Sequence, residues 1–337
     1  MQNNENLFEV KDLVVEYHTR SGVVNAVDQV SFDLKKGEIL GLVGESGCGK
    51  STLGKAMMRM IAKPGKISSG ELWINDVDLL KLSENEMRKR RGSEISMIFQ
   101  DPMTSLNPVQ RISDHLLETI HTHEPKEKKA SALERTQALI ERLGIQRQRI
   151  DEYPHQLSGG MRQRVMISLG LVLNANLIVA DEATTSLDVI VEAKLVDQLK
   201  EIRDEFGISI ILITHNIALV AQIADRVAVM YAGHIVEISP VMDLFDDAKH
   251  PYTRGLLQSV PTTILDEREE LYKMPGEPPN LSNPPTGCRF HPRCPDVMPI
   301  CSQEIPVLQE TTEGRFVQCW LYQDHPNKEM SLDGKVS

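Results

Sequence analysis

The sequence predicts an α/β protein with a mixed sheet, an antiparallel β edge and an inserted helical subdomain, followed by a small cysteine- and proline-rich C-terminal module. Three observations predict this fold. A glycine-rich loop joins an apolar strand to a helix, apolar strands later alternate with a helical stretch, and the composition changes beyond Val260. We therefore expect one domain over 1–260, with helices inserted at about 105–170, and a second unit over 261–337.

The first predicted element is a β-hairpin near the N-terminus. The stretches Phe8 to Tyr17 and Val23 to Leu34 are rich in valine, with partial alternation of apolar and polar residues. Gly22 lies between them at a turn position. An antiparallel edge sheet is expected before the glycine-rich loop.

The glycine-rich loop carries the clearest chemical signal. Residues 44–51 read G-E-S-G-C-G-K-S, which matches G-x-x-x-x-G-K-[ST], between the apolar run Ile39 to Val43 and the helix-compatible stretch Thr52 to Ile61. Backbone N–H groups and the helix N-terminus form a positive pocket for the β- and γ-phosphates of a nucleotide, and Lys50 adds a full charge. The predicted nucleotide-binding residues here are Gly44, Glu45, Ser46, Gly47, Cys48, Gly49, Lys50, Ser51 and Thr52.

The middle of the chain alternates between helix and strand. Helical spacing of Leu133, Leu139, Ile140 and Leu143 before Gly144 predicts the inserted helices. Apolar runs then return in three strand-length stretches, with a helical stretch after the first, as in parallel βαβ units. These runs are Leu177 to Asp181, Ile208 to Thr214 and Arg226 to Met230, and the helical stretch is Ile190 to Glu205.

Polar residues follow the predicted strands at the edge where a ligand is expected. Asp181 and Glu182 end one strand, His215 follows the next, and Gln100 follows Ile95 to Phe99. Because ligands of open α/β sheets bind at the carboxyl ends of the strands, these residues are candidates for metal binding and catalysis.

A third motif, Leu157-Ser158-Gly159-Gly160-Met161, stands between the glycine-rich loop and the strand that ends in Asp181. In this order and spacing the motifs resemble the ATP-binding subunit of an ABC transporter, over residues 7–260. The resemblance implies a magnesium-dependent ATPase that works as a head-to-tail dimer. Ser158, Gly159, Gly160 and Gln163 of one subunit then face the nucleotide held by Lys50 of the other.

The same resemblance assigns the remaining site residues. Ser51, Gln100 and Asp181 bind Mg²⁺, and Gln100 also relays the nucleotide state to the permease. Glu182 polarises the attacking water, His215 contacts the γ-phosphate, and Lys50 holds the phosphates. Tyr17 lies where the family has an aromatic residue that stacks on adenine.

The segment Lys249-His250-Pro251-Tyr252-Thr253, with the following Arg254 to Leu257, resembles the C-terminal region of ATPase subunits that serve dipeptide and oligopeptide importers. That resemblance implies three kinds of partner: a second, different ABC ATPase subunit, two transmembrane permease subunits and an extracytoplasmic substrate-binding protein. It leaves open whether peptides, sugars or nickel are transported.

Four cysteines follow in a proline-rich stretch: Cys288, Cys294, Cys301 and Cys319, separated by five, six and seventeen residues. A cytosolic location disfavours disulfides. The spacing alone does not choose between zinc and an iron–sulfur cluster. Some members of the peptide-importer branch bind a [4Fe-4S] cluster in this tail, which favours the cluster with zinc as the alternative. Arg289, Arg293 and Arg315 are expected to offset the cluster's negative charge.

Composition argues against binding to nucleic acid. The net charge is −11 and aromatic residues make up 4%, so neither phosphate attraction nor base stacking is favoured. No apolar stretch of about 18 residues and no signal pattern is evident, which predicts that the chain stays in the cytosol. The resemblance to importer subunits implies a peripheral position on the cytoplasmic face of the cell membrane. The alternatives are a soluble ABC-type ATPase acting on DNA or ribosomes and an inactive scaffold subunit. The complete set of hydrolytic residues argues against the scaffold.

Overall fold

The computed structural model describes residues 5–20, 22–99, 106–182, 189–259 and 274–324. Its strands form two sheets, an N-terminal antiparallel sheet and a larger mixed sheet. The predicted α/β class with a mixed sheet and an antiparallel β edge is confirmed.

The N-terminal sheet has the strand order β2-β1-β4-β5. The predicted hairpin is present, and its strands pair from Asn6 with Lys35 to Thr19 with Gly22. The other two strands were not predicted. The strands are β1 Asn6–Thr19, β2 Gly22–Lys35, β4 Gly65–Ile74 and β5 Val77–Asp78.

The main sheet has the order β11-β12-β10-β9-β3-β8-β7-β6. From β6 to β9 neighbouring strands are parallel, whereas β10, β11 and β12 are paired antiparallel. The strands are β3 Ile39–Val43, β6 Ile95–Ile98, β7 Leu177–Asp181, β8 Ser209–Ile213, β9 Arg226–Tyr231, β10 His234–Pro240, β11 Gln309–Thr312 and β12 Arg315–Val317.

The central strands are buried on both faces, which explains their continuous apolar sequences. In β7, Ile178 and Ala180 belong to the core that includes the inserted helices, whereas Leu177 and Val179 belong to the core shared with the N-terminal sheet. All five residues of β7 are buried. The buried strand therefore fixes the position of Asp181, its last residue, at the carboxyl end of the parallel strands.

Helices cover the sheet and form the insert. The first begins at Lys50 and ends at Met57, whereas the sequence predicted a helix from Thr52 to Ile61. The α-helices are α1 Lys50–Met57, α2 Glu84–Arg90, α3 Ile112–His123, α4 Lys129–Arg142, α5 Gly159–Leu171, α6 Val189–Phe206, α7 Ile217–Ile223, α8 Val241–Asp246 and α9 Pro251–Gln258. Short 3-10 helices cover Leu79–Lys81, Arg147–Asp151, Pro154–Gln156, His291–Arg293, Pro299–Ser302 and Trp320–Tyr322.

The inserted helices α3, α4 and α5 pack against one another, and α5 also contacts β6. Gly144 follows α4 with φ of 73°, the left-handed conformation that commonly ends a helix. This position agrees with the sequence prediction, and it turns the chain towards the 3-10 helix Arg147–Asp151.

Residues 274–324, which we call the cysteine module, are joined directly to the main sheet. β12 pairs with β10 through Glu237 with Val317 and Ile238 with Phe316. The two short strands of the module extend the main sheet, an attachment that the sequence analysis did not predict, and the division of the chain into 1–260 and 261–337 stays a prediction. The module is therefore in direct contact with the structure that carries the glycine-rich loop.

Candidate active site

The glycine-rich loop, residues 44–51, requires glycine at positions 44 and 49. Gly44 has φ of 153° and Gly49 has φ of 110°. A Cβ atom would lie 2.1 Å from the Met230 carbonyl oxygen at Gly44, and 2.1 Å from the Ala26 carbonyl oxygen at Gly49. Only glycine permits this close packing between the loop, β9 and β2.

Lys50, the first residue of α1, is buried, with an exposed fraction of 4%. Its ammonium group donates hydrogen bonds to the carbonyl oxygens of Gly44 at 2.8 Å and Glu45 at 2.9 Å. The Cys48 sulfur lies 3.7 Å from the same nitrogen. Burial raises the pKa of the Cys48 thiol, and Lys50 opposes that change only in part. Cys48 is thus a protonated spacer whose packing shapes the loop.

Ser51 and Asp181 meet at the edge of the main sheet. The Ser51 hydroxyl donates a hydrogen bond of 2.9 Å to Asp181 Oδ1. Burial raises the pKa of Asp181, while the hydrogen bond from Ser51 lowers it. A hydroxyl beside a carboxylate supplies the oxygen ligands that Mg²⁺ prefers, so this pair fits a magnesium site next to the phosphates of a nucleotide.

Glu182 and His215 lie at the carboxyl ends of neighbouring strands. His215 Nδ1 is 3.6 Å from Glu182 Oε1. Glu182 has φ of 46°, which is uncommon for a residue with a side chain, and its amide donates a hydrogen bond of 2.8 Å to the Ile213 carbonyl. Such backbone strain clusters at functional sites, where the surrounding structure holds it. Glu182 is therefore fixed beside Asp181 with its carboxylate towards His215.

Ser158, Gly159 and Gly160 are presented at the N-terminus of α5. Ser158 is exposed and caps the helix, because its hydroxyl accepts a hydrogen bond from the Met161 amide at 3.3 Å. A Cβ added at Gly159 would have no atom within 4 Å. Gln163 is buried in the same helix. The free N-terminus and its dipole suit an anion brought by another molecule.

Two predicted positions have different outcomes, and the residue that follows His215 has a structural role. Tyr17 is half-buried in β1, where it pairs with Val24 and Gly65, and its stacking on adenine stays a prediction. Gln100 lies outside the described residues. Asn216 provides the N-cap of α7 by accepting a hydrogen bond from the Leu219 amide, and so orients the chain after His215.

All four cysteines of the cysteine module are free thiols, and they lie near one another. Burial, together with the charge of the neighbouring cysteines, raises the pKa of Cys294 and of Cys319 to about 12 each. Within the described part of the chain, no three His, Cys, Asp or Glu residues are arranged to hold a single metal ion. The donor type fits a thiophilic metal group, which would have to displace the thiol protons on binding.

The arginines of the module do not lie where the sequence analysis expected them. Arg289 bonds to Asp28 and to the Ala232 carbonyl, and Arg315 bonds to Asp247. Arg293 makes two hydrogen bonds to Glu45. Each guanidinium therefore pairs with a carboxylate outside the cysteine module, which corrects the expectation that these arginines balance the charge of a cluster.

The contacts that Tyr252 and Arg293 make with the glycine-rich loop were not predicted from sequence. The Tyr252 hydroxyl accepts a hydrogen bond of 2.9 Å from the Glu45 amide, and Arg293 binds the carboxylate of the same residue. Tyr252 lies in the segment that resembles the peptide-importer branch, but its contact with a residue more than two hundred positions away leaves no local pattern.

Across the described ranges, no helix is long and apolar enough to cross a membrane.

Comparison with known proteins gives two family matches. The family described as "ABC transporter" matches residues 27–185, and the family described as "Oligopeptide/dipeptide transporter, C-terminal region" matches residues 236–301. The chain is 45% identical to the oligopeptide transport ATP-binding protein OppD of Bacillus subtilis, over 95% of this chain and 90% of that protein. It is 44% identical to the dipeptide transport ATP-binding protein DppD of Bacillus subtilis, over 98% of each chain.

Solved structures share about 70% of this chain's fold. The dimeric ATP-binding cassette MJ0796, in a post-hydrolysis state bound to ADP and Pi, has a TM-score of 0.62 and 25% identity, and covers 69% of this chain and 98% of its own. CbiO1 of Clostridium perfringens, part of the transporter complex cbiONQ, has a TM-score of 0.62 and 26% identity, with coverage of 72% and 92%.

Proposed function

The chain belongs to the ABC transporter family, as an ATP-binding subunit related to the oligopeptide and dipeptide transporters, and on that premise we propose that it hydrolyses ATP to drive the import of di- or oligopeptides. The observation that carries this proposal is the convergence of Ser51, Asp181, Glu182 and His215 beside the glycine-rich loop. Those groups are what hydrolysis of a phosphoanhydride requires.

Each residue has a defined task in the proposed reaction. The loop amides and Lys50 bind the β- and γ-phosphates, and Ser51 and Asp181 hold Mg²⁺. Glu182 accepts hydrogen-bond donation from the attacking water and polarises it. His215, 3.6 Å from Glu182, is placed to hold the γ-phosphate and the water in line. Gln100 and Tyr17 are assigned to magnesium and adenine by family resemblance alone.

The active unit is a head-to-tail dimer of ATPase subunits. Lys50 begins α1, which packs against β1, β2, β7 and β8, whereas Ser158 caps α5, which packs in the inserted helices and against β6. Two helix N-termini on different parts of the fold each offer donors to a phosphate. In a dimer the Ser158 helix of one subunit completes the nucleotide site of the other. The dimeric state of MJ0796 supports this arrangement.

The partners follow from the relatives. We assign the chain to the cytoplasmic face of the membrane, bound to two permease subunits that receive substrate from an extracytoplasmic binding protein. The second ATPase subunit is a different, related chain. An acidic chain with net charge −11 is unsuited to binding nucleic acid, which argues against the alternative ABC ATPase acting on DNA or ribosomes.

The cysteine module is proposed to hold a [4Fe-4S] cluster through Cys288, Cys294, Cys301 and Cys319. In such a cluster each cysteine binds its own iron, so the thiols need not converge on one ion as a zinc site requires. Four free thiols in one small module are consistent with either metal group, and the resemblance to the peptide-importer branch favours the cluster, with zinc as the alternative. When bound, the cluster supplies cross-links that keep a small module folded.

Purification of the assembled transporter tests the proposed function. The chain is tagged and isolated from membranes, the co-purifying subunits are identified, and ATP hydrolysis is measured with the binding protein empty or loaded with a peptide. We expect two permeases and a second ATPase, with hydrolysis stimulated by the peptide-loaded binding protein. Stimulation by a sugar- or nickel-loaded binding protein instead would reject peptide import and keep the ATPase assignment.

A further inference from the structure

Glu45, the second residue of the glycine-rich loop, is contacted from three sides. Its carbonyl accepts a hydrogen bond from Lys50 at 2.9 Å, and its amide donates one to the Tyr252 hydroxyl at 2.9 Å. Its carboxylate accepts two hydrogen bonds from Arg293, at 2.8 Å and 3.0 Å. Residues from beyond the nucleotide-binding motifs therefore hold both the backbone and the side chain of the loop.

Contacts other than those with Glu45 also hold the Arg293 side chain in place. Its side chain is 5% exposed. Its Nε donates a hydrogen bond of 2.9 Å to the Pro275 carbonyl, and its Nη1 also lies 3.3 Å from the Tyr231 hydroxyl. The guanidinium carbon stands 5.7 Å from the centre of the Tyr231 ring. Since the planar fork is already ordered, little freedom is lost when it binds the carboxylate.

Three aromatic rings link the cysteine module to the sheet and α9. Tyr231 ends β9, Tyr252 lies in α9, and Phe290 belongs to the module. The ring centres are 4.6 Å apart for Tyr231 and Tyr252, 5.2 Å for Tyr231 and Phe290, and 5.5 Å for Tyr252 and Phe290. All three rings are buried, so a shift of the module is transmitted to the residues that hold Glu45.

The contact between Arg293 and Glu45 bears on nucleotide binding because Glu45 carries a negative charge. A carboxylate within the loop that receives a triphosphate repels it, and the repulsion is strong where solvent screens poorly. The bidentate guanidinium of Arg293 neutralises that charge and fixes its position. Loss of Arg293 therefore leaves an unpaired negative charge on a residue of the glycine-rich loop.

We propose that Arg293 is a positioning residue of the ATPase, which neutralises Glu45 and holds the glycine-rich loop so that ATP affinity depends on the folded cysteine module. This inference rests on the proposed function, in which the loop binds ATP. It gives the module a task at the nucleotide site in addition to its own folding. Any event that loosens the module weakens ATP binding in the same chain.

The test uses the assembled transporter and measures KM for ATP and kcat separately, together with equilibrium binding of a fluorescent ATP analogue. Arg293→Met is expected to raise KM by about tenfold, the effect of one lost hydrogen-bonded charge pair, while kcat at saturating ATP is retained. Adding Glu45→Gln to that variant removes the unpaired charge and is expected to return KM most of the way to the wild-type value.

Arg315→Met is the matched control, because Arg315 belongs to the same module and pairs with Asp247 without touching the loop. Its KM for ATP is expected to equal that of the wild type. Arg293→Lys keeps the charge without the fork, so an intermediate KM is expected, and it serves as the test if Arg293→Met does not fold.

Three results would overturn the inference: an unchanged KM in the Arg293 variants, an equal rise in Arg315→Met, or a double variant as weak as Arg293→Met alone. All three leave the proposed function standing. Failure of the wild-type chain to bind ATP would remove the proposed function itself.

Discussion

The Ser51 hydroxyl and the Asp181 carboxylate are joined by a hydrogen bond of 2.9 Å although 130 residues separate them in the chain. The contact joins the start of α1 to the end of β7. It places a hydroxyl and a carboxylate, the proposed ligands of Mg²⁺, close to Lys50 in the fold. The geometry of the proposed magnesium site is thereby set by α1 and β7.

Asp181→Asn tests the magnesium assignment. The amide has the same shape and can accept the Ser51 hydrogen bond, but it lacks the charge that Mg²⁺ needs, so hydrolysis is expected to fall by about a hundredfold. Burial already raises the pKa of Asp181, so removal of the charge is not expected to destabilise the fold. Hydrolysis as a function of Mg²⁺ concentration, with thermal unfolding alongside, checks both statements. Unchanged magnesium dependence would reject Asp181 as a ligand.

Ser158→Arg tests the contribution of one subunit to the site of the other. The position is exposed, so arginine fits without a clash within the chain, although loss of the helix cap costs about 1 kcal/mol. Hydrolysis at the partner's nucleotide is expected to stop while ATP binding at Lys50 of the same chain is kept. Ser83→Arg is the control, since Ser83 is another exposed N-cap, on α2. Normal turnover with Ser158→Arg would indicate action as a monomer.

Metal content tests the cysteine module. Anaerobically purified protein is expected to be brown and to hold about four iron and about four sulfide per chain. Cys319→Ser is expected to lower the iron content, whereas Cys48→Ser, in the glycine-rich loop, is not. A colourless preparation that contains zinc would reject the cluster and retain a metal-bound module.

His250 is expected to make the free energy of unfolding of the protein depend on pH. Its ring is buried, its Nδ1 caps α9 by accepting a hydrogen bond from the Tyr252 amide, and burial together with the charge of Arg254 lowers its pKa to about 3 from 6.5. The unfolded chain therefore binds a proton below pH 6.5 that the folded chain does not, so stability is lost as pH falls below that value. The slope is about 1.4 kcal/mol per pH unit for this group.

His250→Asn keeps an N-cap acceptor but does not titrate, so its free energy of unfolding is expected to depend less on pH between about 6.5 and 4. His234 contributes a slope of its own in both proteins, because burial and Arg289 lower its pKa to about 4. Denaturant unfolding at several pH values checks this, with His155→Asn at an exposed position as the control. Equal slopes for His250→Asn and the wild type would contradict the prediction.

The strands of the active site could be predicted from sequence because each is a short apolar run followed by a polar residue. Asp181, Glu182 and His215 were placed correctly at the carboxyl edge for that reason. The unusual backbone of Glu182 could not be predicted, since it depends on a hydrogen bond to the neighbouring strand at Ile213.

The contacts of the cysteine module could not be predicted, because its strands are short and one of them, Gln309–Thr312, is polar. β12 pairs with the side of β10 that β9 does not occupy, and β11 pairs with β12 in turn. No local sequence pattern predicts this pairing. The same holds for Arg293, whose charge suggested a role beside the cysteines. In the folded chain its partner is Glu45, which is 248 residues away.

The most direct test of the central claim, that ATP is held between two ATPase subunits, is the mass of the Glu182→Gln complex in solution. The variant is mixed with its partner ATPase subunit, and light scattering is recorded with ATP, with ADP and without nucleotide. Hydrolysis is blocked while ATP is retained, so a stable pair of subunits is predicted with ATP and separate subunits with ADP. The same mass in all three conditions, with only single subunits present, would contradict the account.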